Sequence, residues 1–312
     1  MKIGLDTAPA ALRETYFQHL ASVLARYAPE HEYVIGTEAN DGVDLYHGFR
    51  SSLPLSVHLR RVPSFAERLF VLTLYRRALR RAGRVITVSA PAREELSERL
   101  NIDPSKIEVM VPLAVPAPRG NPSQAELEHV RRKYALPEYF ILMIGTVEPR
   151  HNHQAVFAAL AGVASPAGVV VCGRRTAWSD YLLGYARARR IAARVDFIYE
   201  LTPSDLPALF RLARVFAYLP DADAEASVVP VVEALRAGLP MVLSDTQVNR
   251  EAAGEAAAYV RPEARGEVLA ALENALEDVS WRRTMQERER RRAELFSEYA
   301  VAERLMQIYT SL

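Results

Sequence analysis

What most constrains this chain is a rhythm in its second half. Short β-branched runs alternate with amphipathic helical patterns: FILMIGT, HQAVFAALAGV, GVVVCG, DYLLGYARARRIA, VDFIYE, SDLPALFRLA and VFAYL. Strands joined by helices of this length read as parallel βαβ units with helices on both faces of a sheet. The rhythm continues through PVVEALRAG, the run MVLSD and a helix over residues 265–275. The first half repeats it more loosely, with strands expected at KIGLD, YVIGT, DLYHG and RVITVS. Between the halves, VPLAVPAPRGNPSQAELE concentrates proline and polar residues and marks a linker near residues 116–124. The expectation is an α/β protein of two Rossmann-like, doubly wound parallel-sheet domains. The first spans residues 1–118 and is completed by residues 298–312; the second spans residues 125–297.

Composition limits the function classes. A chain of 312 residues that is 50% hydrophobic can bury a large core. Its 39 basic and 38 acidic residues nearly cancel, so no global field draws it to nucleic acid or membrane. Its single cysteine, Cys172, allows neither a disulfide framework nor a cysteine zinc site, which fits a reducing cytoplasm. The opening MKIGLDTAPAALRE reads as a strand entering a loop rather than as a signal peptide. The apolar stretch over residues 155–173 is divided by Ser165, Pro166 and Gly168 into a helix and a strand, so a membrane span is not expected. Cytoplasmic localisation follows.

In open parallel sheets, ligands gather beyond the carboxyl ends of the strands, so chemistry is sought in the loops there. The segment VFAYLPDADAEASVVPVVEALRAGLPMVLSD holds a strand, a loop and a helix that starts with Pro230 and stops at Gly238. The amides of Ser227, Val228 and Val229 lie at that helix N-terminus, a ready anion site for a diphosphate. Glu225 precedes the helix and Glu233 lies within its first turns. A carboxylate amid the apolar VVEALRAG needs a partner, and paired ribose hydroxyls suit it; a solvated helix face for Glu233 and a polar loop for Glu225 are the alternatives.

The run EASVVPVVEALRAGLPMVLSD resembles the donor-site signature of the retaining glycosyltransferases of family 4, a group of GT-B fold that includes many lipopolysaccharide and exopolysaccharide sugar transferases. The resemblance implies that Glu225 meets the transferred sugar and Glu233 the ribose. The Gly-Phe-Gly usual after the first glutamate is replaced by Ala226, Ser227 and Val228. A second run, ILMIGTVEPRHNHQAVFAAL, is similar to the family's strand, basic turn and helix, which implies that Arg150, His151 and Asn152 hold the diphosphate, with His151 standing where the family has lysine. Three further runs extend the likeness over residues 82–312. RVITVSAPAREELSERLNIDPSKIEVMVPLAV resembles the end of the first domain, VDFIYELTPSDLPALFRLARVFAYLP the region meeting the base, with Tyr199 for a usual glycine, and FSEYAVAERLMQIY the last helix, which crosses back onto the first domain.

Residues 1–81 are only loosely similar and look shortened. SVHLRR holds His58 where the family carries the histidine of a His-Asp-Leu motif, with Leu59 for the aspartate. Over residues 60–84, Arg60, Arg61, Arg68, Arg76, Arg77, Arg80, Arg81 and Arg84 face the single acid Glu67, and Phe70, Leu74 and Ala78 share a helix-spaced apolar face. Two readings stand: peripheral docking on an anionic membrane face, or a solvated helix packed on its own domain.

Together these imply a retaining, metal-independent, cofactor-free transfer of a sugar from a UDP- or GDP-sugar to a hydroxyl of a glycan or lipid-linked acceptor. Arg150 and His151 stabilise the leaving diphosphate, Glu225 orients the sugar and Glu233 holds the ribose. The alternative is a catalytically silent GT-B-fold binding subunit, since the departures at His151, Ala226 to Val228, Leu59 and Tyr199 crowd the expected donor site. A nicotinamide oxidoreductase is excluded by the lack of a Gly-x-Gly-x-x-Gly turn after an early strand.

Overall fold

The structure, a computed structural model, describes residues 1–6, 11–36, 44–47, 76–77, 79–110, 122–221 and 228–312. The chain divides into two compact units, Met1–Pro116 with Glu294–Leu312, and Ala117–Ala293.

The first unit carries β1 (Lys2–Asp6), α1 (Ala11–Tyr27), β2 (Glu32–Gly36), β3 (Leu45–His47), β4 (Val85–Thr87), α2 (Ala90–Leu100) and β5 (Ile107–Val109). β2, β1 and β3 pair in parallel in that order, with Ile3 opposite both Tyr33 and Leu45. β4 and β5 form a second parallel pair. Ser89 caps α2 by accepting from the Ala92 amide, and Asn101 ends that helix at φ 51°.

The second unit carries α3 (Gln124–Lys133), β6 (Phe140–Ile144), α4 (His153–Leu160), β7 (Gly168–Cys172), α5 (Ala177–Ala188), β8 (Val195–Ile198), α6 (Leu206–Leu212), β9 (Val215–Tyr218), α7 (Val229–Ala237), β10 (Met241–Ser244), α8 (Gln247–Ala253), β11 (Ala258–Val260), α9 (Arg265–Glu277) and α10 (Val279–Ala293). Its six strands are all parallel in the order β11-β10-β9-β6-β7-β8. The runs FILMI, GVVVC, VFAY and MVLS read as continuous apolar stretches because helices cover both faces; apart from Ile144, every residue in them is buried. α4 and α9 pack on one another, as do α7 and α10. The α/β class expected from the rhythm is what the structure shows.

The last helix, α11 (Glu298–Thr310), belongs to the first unit. Val301, Ala302, Leu305, Ile308 and Tyr309 bury against Ile3, Leu20, Val23, Leu24 and Met110. The sequence of α11 has its apolar residues spaced for one face, and that face closes the first unit's core. Among the described residues, no helix is long and apolar enough to cross a membrane. Cys172 is buried, and burial pushes its thiol up to about 11, so it is an inert core residue.

Candidate functional site

The order of the six-stranded sheet fixes where a ligand can gather. Connections run outward from β6 to β8 on one side and from β9 to β11 on the other, so the direction reverses between β6 and β9. Loops leaving neighbouring strands at such a reversal diverge and open a crevice at the carboxyl edge. Among the described residues, the expected site residues after β6 and β9 lie on those loops and on the helices they enter.

The loop after β6 is held on both flanks. Gly145 sits at φ 141°, a conformation that favours glycine, and the His151 ring packs 3.7 Å from where a Cβ would stand. Gly173, after β7, comes so close that a Cβ on it would lie 1.7 Å from the Gly145 carbonyl oxygen. The Gly145 amide donates to Cys172 O at 3.0 Å and the Val147 amide to Arg174 O at 3.1 Å, while the Thr176 hydroxyl donates to Val147 O. The loops after β6 and β7 are thereby fixed to each other. On the other flank, Asn152, at φ 51°, donates through Nδ2 to Leu219 O at 2.9 Å and to Asp221 Oδ1 at 2.7 Å. The Asp221 amide returns a bond to Arg150 O at 2.9 Å. Both amide protons of Asn152 thus tie the β6 loop to the chain leaving β9.

This turn concentrates charge. Arg150 Nε donates to Glu148 Oε2 at 2.7 Å, and Arg174 Nη2 lies 3.7 Å from Glu148 Oε1. His151 is 5% exposed and meets the His153 ring edge-on at 6.0 Å. His153, 1% exposed, hydrogen-bonds the Glu148 backbone; burial, reinforced electrostatically by the neighbouring imidazole, holds its pKa down to about 3, so it remains neutral. It is a structural imidazole under the turn.

α7 begins on Val228, which is 1% exposed and accepts from the Val232 amide at 3.0 Å, and it stops at Gly238 at φ 61°. Pro230 fits its first turn because the amide missing from proline has no helical acceptor there. Five residues into the helix, Glu233 is 8% exposed with Oε1 lacking any hydrogen bond. Burial pushes its carboxyl up to about 7, against a smaller opposing pull from Arg236. A buried acceptor without a donor costs free energy until a ligand hydroxyl or amide supplies one. Tyr199, just past β8, stacks on Phe197 at 5.5 Å beneath the Arg175 guanidinium at 5.6 Å, and its buried hydroxyl has no hydrogen-bond partner.

Of the residues expected from sequence, Arg150, His151 and Asn152 share one turn, Val228 and Val229 start α7, Glu233 lies inside α7, and Tyr199 follows β8, the edge strand of the arm that begins with β6. Glu225, Ser227 and His58 lie outside the described residues. In the basic segment, Arg76, Arg77, Arg80 and Arg81 are exposed, whereas Leu79 and Ala82 pack against Val85, Leu100, Ile102 and Ile107; residues 60–75 lie outside the described residues. Sequence reasoning overlooked Glu148, His153, Arg174 and Asp221. Glu148 carried a signal, an acid two residues before a candidate anion-binding arginine; Asp221 carried none, since its partner is 69 residues away.

The chain is similar to known proteins. The sequence model of the family described as glycosyl transferases group 1 matches residues 126–292. The O-antigen chain mannosyltransferase RfbU of Salmonella typhimurium is 24% identical over 215 residues, which are 68% of this chain and 56% of that protein. The O-antigen chain mannosyltransferase B of Escherichia coli is 28% identical over 219 residues, again 68% of this chain and 56% of that protein. The chain therefore spans a little over half the length of these curated relatives. Among solved structures, Anabaena HepE in complex with UDP and glucose superimposes with a TM-score of 0.72 at 14% identity, covering 100% of both chains, a likeness of fold.

Proposed function

We infer what this protein does from one premise: the chain belongs to the glycosyl transferases group 1 family, whose model spans residues 126–292, more than half of its 312 residues. We propose that it moves a hexose-type unit from a UDP- or GDP-sugar to a hydroxyl of a glycan or lipid-linked acceptor, with retention of configuration and without a metal. The acceptor oxygen bonds to the anomeric carbon, the bond from that carbon to the diphosphate oxygen breaks, and the acceptor proton passes to the departing diphosphate.

The observation that carries the reading is the Glu233 carboxyl, 8% exposed with Oε1 unpartnered, on the helix entered from β9. A pair of ribose hydroxyls supplies the donors it lacks, and hydrogen bonds to a charged acceptor are worth about 1.5 to 3 kcal/mol. Arg150 and His151 sit across the β6–β9 reversal, where they would take up charge on the leaving diphosphate with the amides of Ser227, Val228 and Val229. Glu225 would orient the sugar, Tyr199 would border the base, and His58 would be the counterpart of the family's histidine. The relatives named O-antigen chain mannosyltransferases support a sugar donor and a glycan acceptor, and the HepE complex supports UDP. We place the protein in the cytoplasm, with residues 60–84 as a contact for an anionic membrane carrying the acceptor.

Calorimetric titration with UDP and GDP tests this. Binding of one of them, weakened in Glu233→Ala, is expected; a folded protein that binds neither favours the silent subunit. Resolving the anomer of the product by NMR tests retention.

A further inference from the structure

From the way the loops after β6 and β7 are fixed together, we propose that Arg174 is a second anion-binding guanidinium of the site, with Glu148 as the carboxylate that positions it beside Arg150. The proposal rests on the reading of the β6 turn as the place where a ligand diphosphate lies.

The two arginines come from different loops, and it is backbone that brings them together. The Val147 amide donates to Arg174 O at 3.1 Å, and Gly173 permits an approach that a Cβ, 1.7 Å from Gly145 O, would forbid. The Arg174 main chain is therefore held in place beside the turn, which lowers the ordering cost of a contact made there. Its side chain is another matter. It is 69% exposed, and its distance to Glu148 Oε1, 3.7 Å, is too long for a hydrogen bond. An exposed pair of that kind adds little to stability, so the arrangement has no evident structural purpose. Arg150, by contrast, is gripped by the same carboxylate at 2.7 Å and is 22% exposed. One carboxylate thus orders the inner guanidinium tightly and the outer one loosely.

The neighbouring Arg175 shows what a committed arginine looks like here: it donates to Asp180 at 2.8 Å and lies over the Tyr199 ring. Arg174 is left to meet what enters. Planar guanidinium groups bind phosphate oxygens in pairs, and two of them converging on one carboxylate can exchange part of that contact for a diphosphate. Arg174 moves to the ligand while Arg150 keeps its bond to Glu148, so the Glu148 carboxylate keeps a cationic partner before and after binding.

The test uses the full chain in calorimetric titrations with UDP, GDP, uridine, guanosine and inorganic pyrophosphate. Arg174→Gln is expected to weaken the nucleotide diphosphate that binds by at least fivefold and to leave its nucleoside within twofold. Arg174→Lys should recover part of the loss, and the exposed control Arg187→Gln, at the far end of α5, should lose nothing. An Arg174→Gln affinity within twofold of wild type overturns the proposal, as does an equal loss in Arg187→Gln, which would mean a general charge effect. If wild type binds pyrophosphate but neither nucleotide, and Arg174→Gln weakens that binding, the clamp stands and the nucleotide reading falls. If wild type binds none of the three phosphates, both fall.

Discussion

Two helices of the second unit that pack on each other, α7 and α10, each bury a carboxyl group, and the contrast between them is instructive. Glu233 on α7 is 8% exposed, lacks a partner on Oε1, and is pushed up to about 7. Glu289 on α10 is fully buried, lacks a partner on both oxygens, and is pushed up to about 8 by burial alone. By isolation, Glu289 is the more extreme. Yet only Glu233 lies within the first turns of a helix that follows a strand at the reversal of the sheet. The arginines of α10 turn elsewhere: Arg282 to Ala275 O and Leu276 O, Arg288 to Glu255 O, Arg292 to Ala252 O and Glu251 O. What separates the two carboxyls is position in the fold: Glu233 could meet a ligand at the reversal of the sheet, whereas Glu289 is a cost to stability.

The contrast is sharpest in stability at alkaline pH. For an acid whose folded pKa is raised, the folded state holds a proton that the unfolded chain has released. Stability is then whole below about 4.5 and falls as pH rises through the folded value, near 8 for Glu289. Glu289→Met removes that loss, and we expect urea denaturation at pH 9 to show a gain of about 2 to 4 kcal/mol, with little change at pH 5. A variant no more stable than wild type at pH 9 would mean that Glu289 has found water or a donor.

Next in size is ligand affinity. Glu233→Ala should weaken UDP or GDP binding by about 1 to 3 kcal/mol while the protein stays folded. Unchanged affinity removes Glu233 from the ribose and makes the two carboxyls alike.

A smaller effect tests the titration of Glu233 itself. Hydroxyl donors favour its ionised form, so a bound nucleotide pulls its pKa down from about 7, and affinity should rise up to about tenfold between pH 6 and pH 8. The nucleotide's own phosphate titrates over the same range. The quantity to measure is therefore the difference between wild type and Glu233→Gln, which should lack the rise; parallel profiles would break the assignment. The smallest expected effect is none: Glu289→Gln should leave nucleotide affinity within twofold at pH 7, and a larger loss would show that α10 steers α7.

How far the sequence reveals all this depends on the range of the interactions. Runs such as FILMI and GVVVC declare buried strands because both faces need apolar cover, and Pro230 and Gly238 bracket α7 by local backbone chemistry. Glu233 was legible because a charge stands amid VVEALRAG. Glu289 was not: in QERERRRAE it looks solvated, and its neighbour Glu287 does pair with Arg290 and Arg291 at the surface. The tie from Asn152 to Asp221, and the contact between Gly145 and Gly173, join residues far apart in the chain, where local pattern says nothing.

The close contact of Gly173 with Gly145 also sets the unit of inheritance for this site. Because neither loop can change its path without the other giving way, a donor preference could not be moved into this scaffold by grafting the turn after β6 alone. The exchangeable module is the pair of loops, cut at Ile144 and Thr176, and variation between relatives at one glycine should be accompanied by variation at the other.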